Sequence, residues 1–127
     1  MISASLFLAS FLLFAQEKEN EYWELQSFTP PSGAVVEVGG MDFDSKGVLW
    51  ISTRRGQVWK VENALAGNPS DAQWTLWAEG LVDGLGLKVV EDEVWLVQRN
   101  ELSRLRDEDG DGFCDSIDTV SQDWAMT

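Results

Sequence analysis

The run 40–61, GMDFDSKGVLWISTRRGQVWKV, alternates apolar stretches with short polar turns, and the pattern returns over 84–105 as GLGLKVVEDEVWLVQRNELSRL. Trp50 lines up with Trp95 and Arg54 with Arg99, each pair 45 residues apart. With one residue deleted from the second turn, Val58 lines up with Leu102 and Val61 with Leu105, each 44 apart. Each copy reads as an apolar stretch, a turn, an apolar run carrying the Trp, a second turn and an alternating strand. Several short strands repeating with a period near 45 are the mark of a propeller blade.

The pattern predicts strands in detail. A short strand over 34–38 is expected to break at Gly39-Gly40, with a new strand starting at Met41. Asp44-Ser45-Lys46-Gly47 is hairpin-turn chemistry. The continuous apolar run 48–51 predicts a strand buried on both faces, and 57–62 alternates as a half-buried strand does. A loop holding Gly67-Asn68-Pro69-Ser70 precedes a fourth, outer strand over 73–78. The second copy is expected to place strands near 85–90, 94–98 and 102–106, with an outer strand at 118–121. Trp50, Trp59 and Trp95 fall inside strand patterns, where packing between sheets is their expected role.

The first 15 residues, MISASLFLASFLLFA, hold no charged side chain, and their apolar core is too short to span a bilayer. They fit the apolar region of a secretory signal peptide, cleaved after Ala15, although no Lys or Arg precedes that region and Leu13 is not a small residue. Residues 16–33 read as a polar tether that ends in the turn Pro30-Pro31-Ser32-Gly33. Residues 34–127 are then the folded part. A secreted or periplasmic location follows from this reading.

Composition narrows the function. The chain has 127 residues and is 44% hydrophobic, enough for about one domain with a core. Nine basic residues against 22 acidic ones leave a net charge of −13, which argues against nucleic acid as a partner and favours cations and basic partners. The absence of His removes His-based acid–base catalysis, His ligation of zinc and a Ser-His-Asp triad from these residues. The single cysteine, Cys114, forms no internal disulfide and reads as a small buried apolar residue. Arg54 and Arg99 end equivalent strands. Surface ion pairs are the simpler expectation for them, and contact with an anionic ligand is the alternative.

The sharpest chemical signal is the loop 107–118, DEDGDGFCDSID. Its carboxylates fall at the EF-hand calcium positions 1, 3, 5, 9 and 12, with glycine at 6. The expected ligands are Asp107, Asp109, Asp111, the carbonyl of Phe113, Asp115 and Asp118. Calcium takes six to eight oxygens, and a tight glycine turn gathers short carboxylates around it. Asp118 replaces the usual Glu and is expected to bind through one oxygen or a water. The flanking segments read as strands, so the expectation is a calcium loop between strands and not an EF-hand domain.

GGMDFDSKGVLWISTRRGQVWKVE followed by GLGLKVVEDEVWLVQRNELSRLRDEDGDGFCD resembles the opening of large secreted bacterial propeller proteins named as membrane-bound dehydrogenases, themselves similar to the soluble glucose/sorbosone dehydrogenases. The resemblance covers about residues 34–127. It implies a propeller, a carbohydrate or small alcohol substrate, and pyrroloquinoline quinone or haem in further parts of the protein. The quinone-dependent relatives use a catalytic His that this chain lacks, so the dehydrogenase activity attaches to a whole protein and not to these residues. The expected fold is all-β: about two four-stranded blades of a partial β-propeller. Propellers close with four or more blades, so the expectation is the N-terminal part of a longer exported protein whose remaining blades are its partners. The alternative is a non-catalytic, calcium-stabilised propeller that binds carbohydrate or protein.

Overall fold

The computed structural model describes residues 22–124. The expected signal peptide at 1–15 and the start of the tether, 16–21, lie outside the described residues. The described chain is all-β, with one short 3-10 helix over Pro69–Asp71. Strands β1 (Val38–Phe43), β2 (Leu49–Thr53), β3 (Gln57–Glu62) and β4 (Gln73–Glu79) form one antiparallel sheet in sequence order. Strands β5 (Gly86–Val90), β6 (Glu93–Val97), β7 (Leu102–Arg106) and β8 (Ser116–Ser121) form a second with the same order. Among the described residues no helix is long and apolar enough to cross a membrane.

Local chemistry sets the hairpins. In the β1–β2 turn the Asp44 carboxylate accepts the N–H groups of Lys46 and Val48, each at 2.9 Å, and the indole N–H of Trp50 at 3.0 Å. Gly47 takes the left-handed φ of +81° that closes this turn. A buried indole N–H needs a partner, so Asp44 serves the turn and the core together. Strand β2 is buried along its whole length, as the apolar run predicts.

The two sheets stack in one sense. The forward face of the first sheet puts Trp50, Val58, Trp77 and Ala78 against Val94, Leu96 and Leu105 of the second. Trp50 and Trp77 meet edge-on, with ring centroids 4.8 Å apart. The rear face of the first sheet carries Leu49, Ile51, Trp59 and Val61, covered by Phe28, Ala34 and Val36 of the preceding segment. Leu49, Ile51 and Val61 are the repeat equivalents of Val94, Leu96 and Leu105. The second sheet therefore offers its rear face to the forward face of the first. Trp95, the equivalent of Trp50, lies beyond the stack, with the Arg104 guanidinium 5.8 Å from its ring.

The strand expected over 34–38 lies elsewhere. Residues 34–37 form no strand, although the Glu37 carbonyl accepts Arg54 N–H at 2.9 Å, and β1 runs from Val38 across Gly39 and Gly40 with its pairing to β2 shifted between Val38 and Gly40. These glycines act through their lack of a side chain. A Cβ on Gly39 would overlap the Gly84 carbonyl, and one on Gly40 would overlap the Leu87 amide and lie 2.9 Å from Gly86 Cα. The innermost strands of the two sheets thus meet backbone to backbone. Asp42 fastens this contact: its Oδ2 accepts Val89 N–H at 2.9 Å and pairs with Lys88 Nζ at 2.8 Å.

Candidate functional site

The acidic loop joins β7 to β8 at one end of the seam between the sheets. It is tied down at both sides: Cys114 N–H donates to the Trp77 carbonyl of the other sheet at 3.0 Å, and Asp115 N–H to the Arg106 carbonyl at 2.9 Å. Cys114 packs against the inter-sheet core, and burial raises its thiol pKa, which keeps it protonated. Gly110 and Gly112 turn the loop with φ of +78° and +93°, and Gly112 is the residue at the expected sixth position.

One ligand oxygen each from Asp107, Asp109 and Asp115 comes within 4.8 Å of the others. Backbone donors hold these carboxylates in place. Asp107 accepts Gly110 N–H at 2.7 Å and Gly112 N–H at 2.9 Å, and Asp115 accepts Glu108 N–H at 2.7 Å. Asp109 accepts Asp111 N–H at 3.0 Å, while Asp111 accepts Phe113 N–H at 2.9 Å, outside the trio. The Phe113 ring is half exposed. Asp118 sits in β8 and turns to Arg106 at 2.6 Å and Arg104 at 3.3 Å. Of the six expected ligands, three carboxylates are brought together and the twelfth position is engaged by arginine. An all-oxygen set of this kind suits a hard cation such as calcium in its chemistry.

Beside the loop runs a groove of about 750 Å³ between the sheets. Trp50 and Trp77 line it together with the charged residues Lys46, Lys60, Arg106, Asp92, Glu93 and Asp107. Ser45 of the β1–β2 turn donates to Asp92 of the β5–β6 turn at 2.8 Å.

The opposite end of the seam is built by Arg54 and Arg99. Both reach Asp83 in the connection between the sheets: Arg99 Nη2 lies 2.7 Å from Oδ2 and Arg54 Nε 3.3 Å from Oδ1. The two guanidiniums, Arg99 first, hold the Asp83 carboxyl below its ordinary pKa. Backbone contacts set this connection: Val82 N–H donates to Gln98 Oε1 at 2.6 Å, Arg99 N–H to the Val82 carbonyl at 3.1 Å, and Asp83 itself takes a φ of +52°. Next to it Glu101 accepts from Ser103 at 2.6 Å, Gln122 at 3.0 Å and Thr119 at 3.1 Å. These donors, Ser103 foremost, lower the Glu101 pKa. Sequence reading picked out both arginines but not Asp83. Its signal was its place between the repeats, in Val82-Asp83-Gly84, where a single carboxylate lies within reach of both turns.

No family model, curated protein or solved structure matches the chain.

Proposed function

We propose that the chain is a pair of stacked blades from a propeller-type binding module, with a calcium ion at the acidic loop stabilising the seam. The observation that carries this reading is the stacking. Equivalent faces of the two sheets point the same way, rear against forward, and the innermost strands converge at glycines. Repeated units stacked head to tail in one sense build a ring when the rotation closes. The outer face of the second sheet, with Trp95, is where a further blade of the same kind would pack. The expected ligand of the whole is carbohydrate or protein. The quinone-dependent oxidation implied by the resemblance has no comparable support in the geometry, so the binding reading is the one we favour.

Calcium enters through the chemistry of its donors. Asp107, Asp109 and Asp115 would hold it, and the loop they share is fixed to Trp77 of the other sheet. Neutralising like charges there would tighten the seam. Calorimetric titration with calcium should give one binding event that is lost in Asp107→Ala and in Asp109→Ala. Retained binding in both variants, or no heat at millimolar calcium on folded protein, would make the loop a solvated turn. Magnesium should bind more weakly, since it prefers a rigid octahedral shell and keeps its waters.

A further inference from the structure

We propose that the arginine end of the seam is a binding site for a small carboxylate bearing an apolar group. The inference is independent of the calcium reading, because it concerns the opposite end of the sheets. Three of the nine basic residues of this acidic chain, Arg54, Arg55 and Arg99, line one open groove of about 710 Å³ together with Glu37, Val82 and Asp83. They come from the β2–β3 turn and the β6–β7 turn, so the repeat itself delivers Arg54 and Arg99 to one place.

The groove already accommodates a carboxylate. Asp83 sits between two guanidiniums with its side chain 15% exposed, while Arg54 and Arg99 are about 60% exposed. Each arginine spends a single nitrogen on its ion pair: Nε of Arg54, Nη2 of Arg99, and Nε of Arg55 towards Glu37 at 2.8 Å. A guanidinium carries five donors in a planar fork matched to two carboxylate oxygens, so the outward edges retain most of their capacity. The arginine side of each pair is exposed, so a free guanidinium edge can turn to an outside oxyanion without breaking the pair with Asp83. Among the residues that line the groove, three cations stand against two carboxylates, a balance that suits a monoanion better than a doubly charged phosphate. Val82, half exposed, gives the groove its apolar wall.

Benzoate is a fitting probe, with benzamide as its uncharged counterpart and sulfate as the oxyanion without a ring. In a heteronuclear NMR titration of the whole chain, benzoate should shift the side-chain N–H signals of Arg54, Arg55 and Arg99 and the Val82 methyls along one saturable curve. Benzamide should not, and sulfate should bind more weakly. Arg54→Gln should weaken benzoate roughly tenfold, the share of one charge-assisted hydrogen bond. Asp83→Asn removes the internal competitor and should tighten benzoate by a similar factor, whereas a purely structural clamp predicts no gain. Equal shifts from benzamide, sulfate binding as tightly as benzoate, non-saturable shifts in the unmodified chain, or no gain in Asp83→Asn with its fold retained would each overturn the proposal.

Discussion

Replacing Gly40 by alanine adds one methyl group to the innermost strand, and the structure says where that methyl must go. It overlaps the Leu87 amide and falls 2.9 Å from both Gly86 Cα and the Gly86 carbonyl carbon. All three are backbone atoms, so no rotamer change makes room and β1 must separate from β5. Separation loosens the core that Leu87 and Val89 share with Trp50, Leu96 and Leu105. Overpacking a tight contact costs about 1–3 kcal/mol. With the backbone itself in the way the upper end applies, so Gly40→Ala should lose about 3 kcal/mol, a large part of the stability of a small domain. Gly86→Ala is the control. It is also a strand glycine, but its added Cβ meets only the Val97 side chain at 3.9 Å, an ordinary contact. There the restricted unfolded chain should raise stability by about 0.4–1 kcal/mol. Denaturant unfolding followed by tryptophan fluorescence measures both, since Trp50 and Trp77 lie in the seam. If Gly40→Ala unfolds at the wild-type midpoint, or Gly86→Ala loses as much, close approach of the inner strands is not what these glycines provide.

Two further outcomes follow from charge and from the N-terminus. The Asp42, Asp83 and Asp118 carboxyls are held below the ordinary 3.8, by Lys88, by Arg99 and Arg54, and by Arg104 and Arg106, and Glu101 lies below 4.5 through its hydroxyl and amide donors. A carboxyl depressed in the folded state stabilises above its unfolded value, so stability should hold above about pH 5 and fall as the pH drops through 4, with a shallower slope in Asp42→Asn and Asp118→Asn. Expressed in a bacterium with its natural start, the chain should leave the cytoplasm with an N-terminus near Gln16; intact Met1 on cytoplasmic protein by mass spectrometry would refute the export reading.

Much of the candidate site was legible because its determinants are local. The carboxylate spacing and the glycine at position 112 define a tight acidic turn whatever surrounds it, and Asp107, Asp109 and Asp115 do converge. The fate of Asp118 was not legible. Its partners Arg104 and Arg106 stand on the neighbouring strand, and only the β7–β8 register sets Arg104 opposite it. Asp83 was missed for the same reason: Arg54 and Arg99 are 29 and 16 residues away along the chain. Gly39 and Gly40 read as a strand break because glycine disfavours strands locally; the structure keeps both in β1, with the pairing to β2 shifted between Val38 and Gly40 and the strand packed closely on β5.

By itself the sequence determined the strand periodicities, the turns and the repeat, because each depends on neighbours within a few residues: alternation places apolar side chains on one face, and Asp44 or Gly47 closes a turn where it stands. The order of strands within each sheet followed from the short connections. What only the tertiary structure decided is which face meets which: Trp50 against the second sheet, Trp95 beyond the stack, and the segment with Phe28, Ala34 and Val36 over the rear of the first. Equivalent residues have equivalent patterns, so no local signal tells Trp50 from Trp95. The difference arises because a stack of two has one inner seam, and burial goes to the faces that share it.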